Sequence, residues 1–130
     1  MSLFEHWAEV PDSMWPCRYF TRQEVACRGT NELYVNRDVL LKLDNFRSLL
    51  GQPVSLSSAF RSSYYNSKIG GAILSSHTVK GSNGPTAFDI RLNGMDKETI
   101  RRVAEQVGFV GFGLSYNSFV HIDNGRKRIW

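Results

Sequence analysis

Apolar residues recur at helical spacing between residues 37 and 50, where Val39, Leu43, Phe46 and Leu50 form one stripe. Gly51 follows where a C-cap glycine belongs, so a helix over 37–50 is expected. Pro53 then opens a short strand, Val54 to Ala59, with Val54, Leu56 and Ser58 on one face. Residues 61–86 carry no regular period and are rich in Ser, Gly, Asn and Tyr. Such long irregular stretches in compact domains are usually functional or mobile. From Ala87 to Leu92 the chain alternates: Phe88, Ile90 and Leu92 on one face, Asp89 and Arg91 on the other. A second helix is expected from Asp96 to Val107, with Ile100, Val103, Ala104 and Val107 inward and Gly108 as its stop. Two strands follow, Phe112–Tyr116 and Ser118–Asp123, as a hairpin turning near Asn117. Thr21-Arg-Gln-Glu24 has the capping-box pattern of a short helix. This order points to an α+β fold with an antiparallel sheet.

A chain of 130 residues suits one domain, expected over 19–130, with residues 1–18 as an irregular arm packed by Trp7 and Trp15. The net charge of +4 and pI of about 9.3 suit an anionic partner: nucleic acid, a membrane surface or a bacterial wall polymer. No aromatic-basic platform is evident, so no nucleic-acid partner is expected. Arg126-Lys127-Arg128 is short and reads as a solvated tail. Cys17 and Cys27 lack any CxxC or Cys/His spacing, which excludes a thiolate zinc site. A disulfide between them is open; buried free thiols are the simpler expectation. The first residues show no basic region followed by an apolar run, so no secretory signal is expected. No apolar stretch approaches the ~18 residues of a membrane span.

The candidate chemistry lies at His77, Asp89 and His121. Two imidazoles and a carboxylate form a zinc set that leaves a fourth position for water, as in hydrolytic rather than structural sites. Read singly, each has an ordinary alternative. His77 is then a surface loop histidine and His121 a satisfied core histidine. Asp89 would sit on a wet face or pair with an arginine. Arg61, after a strand and before a polar loop, is a surface arginine or a carboxylate clamp. No G-x-S-x-G elbow accompanies the many serines, which read as loop residues. Asp123 shares a strand face with His121, roughly 6.6 Å along the chain.

Together these segments carry a resemblance. The run Ser58-Ala-Phe-Arg61-Ser-Ser-Tyr-Tyr-Asn66, Gly70-Gly71-Ala72, Ser75-Ser76-His77, Ala87-Phe-Asp89-Ile90, Gly111-Phe-Gly113 and Phe119-Val-His121-Ile-Asp123 resembles the M15 peptidases. The similarity is to the branch of zinc D-Ala-D-Ala carboxypeptidases and phage peptidoglycan endopeptidases, and it covers roughly 19–130. That family shows an S-G-Y-R-S-x-x-x-N block, an S-x-H-x-x-G-x-A-x-D-I block and an F-V-H-x-D block in this order. The resemblance implies a small antiparallel sheet with flanking helices and a long metal-site loop, like the hedgehog and DD-peptidase folds. It implies one zinc per chain on His77, Asp89 and His121, Arg61 as the substrate clamp, and Asn66 and Ser76 as further substrate-binding residues.

Two departures stand out. Thr78 to Phe88 is a longer connection than the family's usual one between its first histidine and its aspartate, with Gly81, Gly84 and Pro85 suiting a loop excursion. Better-known members also place a carboxylate three residues before the last zinc histidine, and some a histidine two before it; here these positions are Ser118 and Phe119. Asp123 is then the nearest candidate for a catalytic base, with ligand orientation as its alternative role.

The expected function is a zinc metallopeptidase cutting stem or cross-link peptides of bacterial peptidoglycan. The missing signal favours a phage or prophage lysin, released by a holin or carried on a virion. The rival is a non-catalytic wall-binding or virion structural module on the same fold. The bond cut and the oligomeric state are open at this level.

Overall fold

The computed structural model describes residues 3–79 and 85–130. The expected excursion through Gly81 and Gly84 lies outside them. The fold is α+β. Its elements are β1 (Leu3–Phe4), α1 (Arg22–Val25), β2 (Leu33–Tyr34), α2 (Arg37–Leu50), β3 (Leu56–Ser58) and α3 (Ser63–Lys68). They continue with β4 (Phe88–Arg91), α4 (Lys97–Gln106), β5 (Gly111–Gly113), β6 (Phe119–Asp123) and β7 (Arg128–Ile129). Two 3₁₀ turns, Trp7–Glu9 and Asp12–Met14, lie between β1 and α1.

The two long helices form where the periodicity places them. In α2, Val39, Leu40, Leu43 and Phe46 are buried, and Gly51 closes the helix in the left-handed region at φ 74°. Asn36 precedes it without capping it; its amide instead donates to the Pro85 carbonyl at 3.2 Å, joining the helix start to the end of the site loop. In α4, Asp96 caps the Thr99 N–H, and Ile100 and Ala104 are buried. Thr21 and Glu24 form the full capping box on α1.

The central sheet runs β3-β4-β6-β5-β7. All its pairings are antiparallel except β5 with β7, which is parallel. The sheet is thus antiparallel as expected, with one parallel pair at the β7 edge. Period-two alternation divides the sheet into two faces. Phe88, Ile90, Phe112, Val120 and Ile122 enter the core with α2 and α4. Asp89, His121 and Asp123 project from the opposite face, and the register sets Asp89 directly across from His121.

Three other elements differ from expectation. The stretch 61–86 contains α3, a six-residue helix capped by Ser62, whose hydroxyl accepts from the Tyr65 N–H. Its composition is polar all round, so no apolar stripe announces it. The basic tail is not simply solvated: Arg128 and Ile129 form β7, because Val110 and Phe112 offer free carbonyls to the N–H groups of Arg128 and Trp130. The arm is tied down by β1 pairing with β2, and Trp7 and Trp15 pack on the core. Both cysteines are free thiols. Among the described residues no helix is long and apolar enough to cross a membrane.

Candidate metal centre

Asp89 and His121 are neighbours across the β4–β6 pair, so alternation alone brings them to one face. His77 arrives from the loop. Its own carbonyl accepts from the Arg61 N–H at 2.9 Å, and the adjacent Ser76 carbonyl accepts from the N–H groups of Thr86 and Ala87. These bonds pin the loop between the end of β3 and the start of β4. The result is that one ligand atom from each of His77, Asp89 and His121 lies within 4.8 Å of the others, all in buried residues. Asp89 Oδ1 is 3.3 Å from His77 Nε2 and 3.1 Å from His121 Nδ1.

Hydrogen bonds behind the two rings decide what they offer. His77 Nδ1 lies 2.6 Å from the Ala59 carbonyl, which can only accept, so this nitrogen carries the proton. The His77 Nε2 lone pair is left pointing into the cluster, buried and without a donor. His121 Nε2 lies 2.7 Å from Asp123 Oδ2, which turns Nδ1 toward Asp89. Lone pairs and a carboxylate oxygen converge here as a donor set that could hold a cation.

Electrostatics agree. Burial pushes the His77 ring down, against the pull of Asp89. Burial also acts to raise the Asp89 carboxyl, but the two imidazoles beside it outweigh this and hold Asp89 well below its usual range. For His121, burial again acts to lower the pKa; the bonds to Asp123 and Asp89 override it and raise it. Two ionised carboxylates thus bracket one imidazole, and the same field attracts a cation.

Asp123 is fully buried. Its Oδ2 faces His121 and its Oδ1 accepts from the Gly125 N–H at 3.0 Å. Gly111, across the β5–β6 pair, makes this possible: a Cβ there would lie 2.2 Å from Asp123 Oδ1. Gly111→Ala is therefore expected to push Asp123 off His121 and to cost about 1–3 kcal/mol through overpacking. Urea unfolding reads this directly; an unchanged midpoint would show that β5 yields at no cost.

Arg61 stands beside the cluster, braced on three sides. Its Nε donates to Ser58 Oγ at 3.0 Å and one terminal nitrogen to Asn66 Oδ1 at 3.2 Å. The other lies 3.5 Å from Asp89 Oδ2. Asn66 is buried and also donates to the Ala72 carbonyl at 2.8 Å, so it stands behind Arg61, outside the groove lining. Ser76 does line the groove, an open cleft of about 780 Å³ over the cluster. Tyr116, Arg126, Arg128 and Trp130 line it too, although the sequence reads Arg126 and Arg128 as a solvated tail and marks none of the four as a site residue. The alternation of Arg128 and Trp130 about Ile129 was the one available signal, and it spans too few residues to mark a strand.

A family model described as Peptidase M15 matches residues 18–123. No curated protein matches the chain.

Proposed function

The chain belongs to the M15 peptidases, and from that membership we propose that it is a zinc-dependent peptidase acting on the stem or cross-link peptides of bacterial peptidoglycan. The observation that carries the metal is the buried His77 Nε2 lone pair, directed at Asp89 and His121 and lacking any donor. These three residues would hold the zinc, beside a groove that Ser76 and Arg61 also line. When bound there, zinc polarises the scissile carbonyl and lowers the pKa of a coordinated water.

The chain's own groups do the rest. The Ala59 carbonyl and Asp123 fix the two imidazoles as acceptors toward the cluster. Arg61, held by Ser58 and Asn66, presents a guanidinium to a substrate carboxylate or backbone carbonyl beside the reacting bond. Ser76 lies in the groove wall, where it would meet the substrate. Asp123 is proposed as the group that positions His121 rather than as the base, since both its oxygens are engaged in a fully buried site. A lysin of phage or prophage origin, reaching the wall after holin-type release or on a virion, is the setting proposed for this activity.

Turnover of purified sacculi by the zinc-loaded chain, with products identified by mass spectrometry, tests the reading. New peptide termini are expected, and they also identify the bond. A second reading, a non-catalytic wall-binding module, draws on Ser118 and Phe119 standing where relatives carry acid–base groups. Intact sacculi that retain a zinc-loaded chain would establish it instead.

Arg61→Lys is expected to keep the metal and the fold but to lower turnover by roughly tenfold or more, because a point charge replaces a braced fork. Wild-type turnover in this variant would reduce Arg61 to a partner of Asp89.

A further inference from the structure

The groove lining holds Arg61, Arg126 and Arg128 against a single carboxylate, Asp89. Arg61 is engaged with Asp89. Arg126 and Arg128 remain as a positive wall on the β7 side of His121. Arg128 is not a loose surface residue. Its guanidinium lies over the Trp130 ring, 4.0 Å from the ring centre, a cation–π contact that restrains it. Trp130 is fixed in turn: its Nε1 donates to Tyr116 Oη at 3.1 Å, and its ring centre is 5.0 Å from that of His121. Gly113 leaves the space for this, since a Cβ there would come within 2.8 Å of Tyr116 and 2.9 Å of Trp130.

The donors of Arg128 are underused. Its Nε is buried and has no acceptor. Its nearest carboxylate, Asp123 Oδ2, is 3.7 Å away and already serves His121. The side chain is 39% exposed, so the rest of the fork is open to the groove. The terminal nitrogens, held over an aromatic face and lining a groove that Arg126 also lines, present a planar fork that suits a carboxylate.

We propose that Arg128, held over Trp130 and joined by Arg126, forms a carboxylate-binding subsite that selects peptides bearing a free side carboxylate near the bond to be cut. The inference rests on the peptidase reading above and deepens it: the substrate class becomes acidic peptides, in which amidation of that carboxylate weakens recognition.

The test uses two synthetic stem peptides of one sequence, with side carboxylates free in one and amidated in the other. Calorimetric titration of each into the zinc-loaded chain reads binding, and mass spectrometry reads cleavage. The wild type is expected to bind the free-acid peptide on the order of tenfold more tightly. The doubly substituted Arg126→Gln, Arg128→Gln chain should lose that preference while keeping its zinc and its affinity for the amidated peptide. Should the double variant fail to fold, Arg126→Gln alone, at an exposed position, should reduce the preference. Arg128→Lys should retain part of it, because charge remains without the planar fork. Equal binding of the two peptides by the wild type would overturn the proposal. So would a double variant that weakens both peptides equally and loses zinc, the result expected if Arg128 only steadies Asp123. A retained preference without cleavage of either peptide would sustain the subsite and end the peptidase reading. Cleavage of both without preference would do the reverse.

Discussion

Replacing His77 or His121 by alanine is expected to remove metal and hydrolysis together. Each ring offers one atom to a cluster whose members lie within 4.8 Å of one another, and among the described residues that group consists of His77, Asp89 and His121. The wild type purified without chelator should carry about one zinc per chain. Elemental analysis of both variants should find it gone, with sacculus turnover at background. The loss extends beyond contacts to the ion. Without His77, Asp89 keeps a buried charge balanced only by Arg61 and His121, an arrangement that costs stability. Added zinc should raise the unfolding temperature of the wild type and leave that of either variant unmoved, since only a folded state that binds is stabilised. A variant retaining full metal occupancy would show that another side chain is the ligand. A metal-free wild type with full turnover would end the zinc reading altogether.

Asp123→Asn should separate orientation from proton transfer. The asparagine keeps the shape that Gly111 admits but loses the charge that draws the His121 Nε2 proton. As a positioning group, Asp123 should matter through zinc affinity, with a loss of roughly 10–100-fold and turnover restored at saturating metal. As a general base it should instead cost on the order of 10²–10⁴ in turnover with zinc retained. The geometry favours the first result, because Oδ2 is 2.7 Å from His121 and Oδ1 is held by the Gly125 N–H. Turnover measured across a zinc titration distinguishes them. An effect on neither quantity would sever Asp123 from the site and strengthen the non-catalytic reading.

Much of the scaffold was legible before the structure. Val39, Leu43 and Phe46 in α2, and Ile100 and Ala104 in α4, repeat at helical spacing and are buried as that spacing requires. In β4 and β6 the alternation of Phe88, Ile90, Val120 and Ile122 with Asp89, His121 and Asp123 already separates a core face from a polar face. An aspartate inside an apolar strand and a histidine inside another were therefore visible as candidates, while whether their face was wet or buried was left to the fold.

Other features left little local trace. α3 has six residues and no apolar stripe; its Ser62 cap and the burial of Asn66 against Arg61 and Ala72 hold it. β7 spans two residues of a basic run and exists because β5 presents free carbonyls to it. Its pairing is what lays Arg128 and Trp130 along the groove.

Periodicity along a chain reports which face of each element is buried, because neighbouring residues share one backbone geometry. That rule established α2, α4, β4 and β6 and the polar strand face on which Asp89 and His121 stand. Contacts between distant segments have no such period. Only the folded chain brought the Ala59 carbonyl behind His77, opened room at Gly111 for Asp123, and set Trp130 beside His121. Those contacts determine which ring nitrogens keep free lone pairs, and so what the cluster can bind.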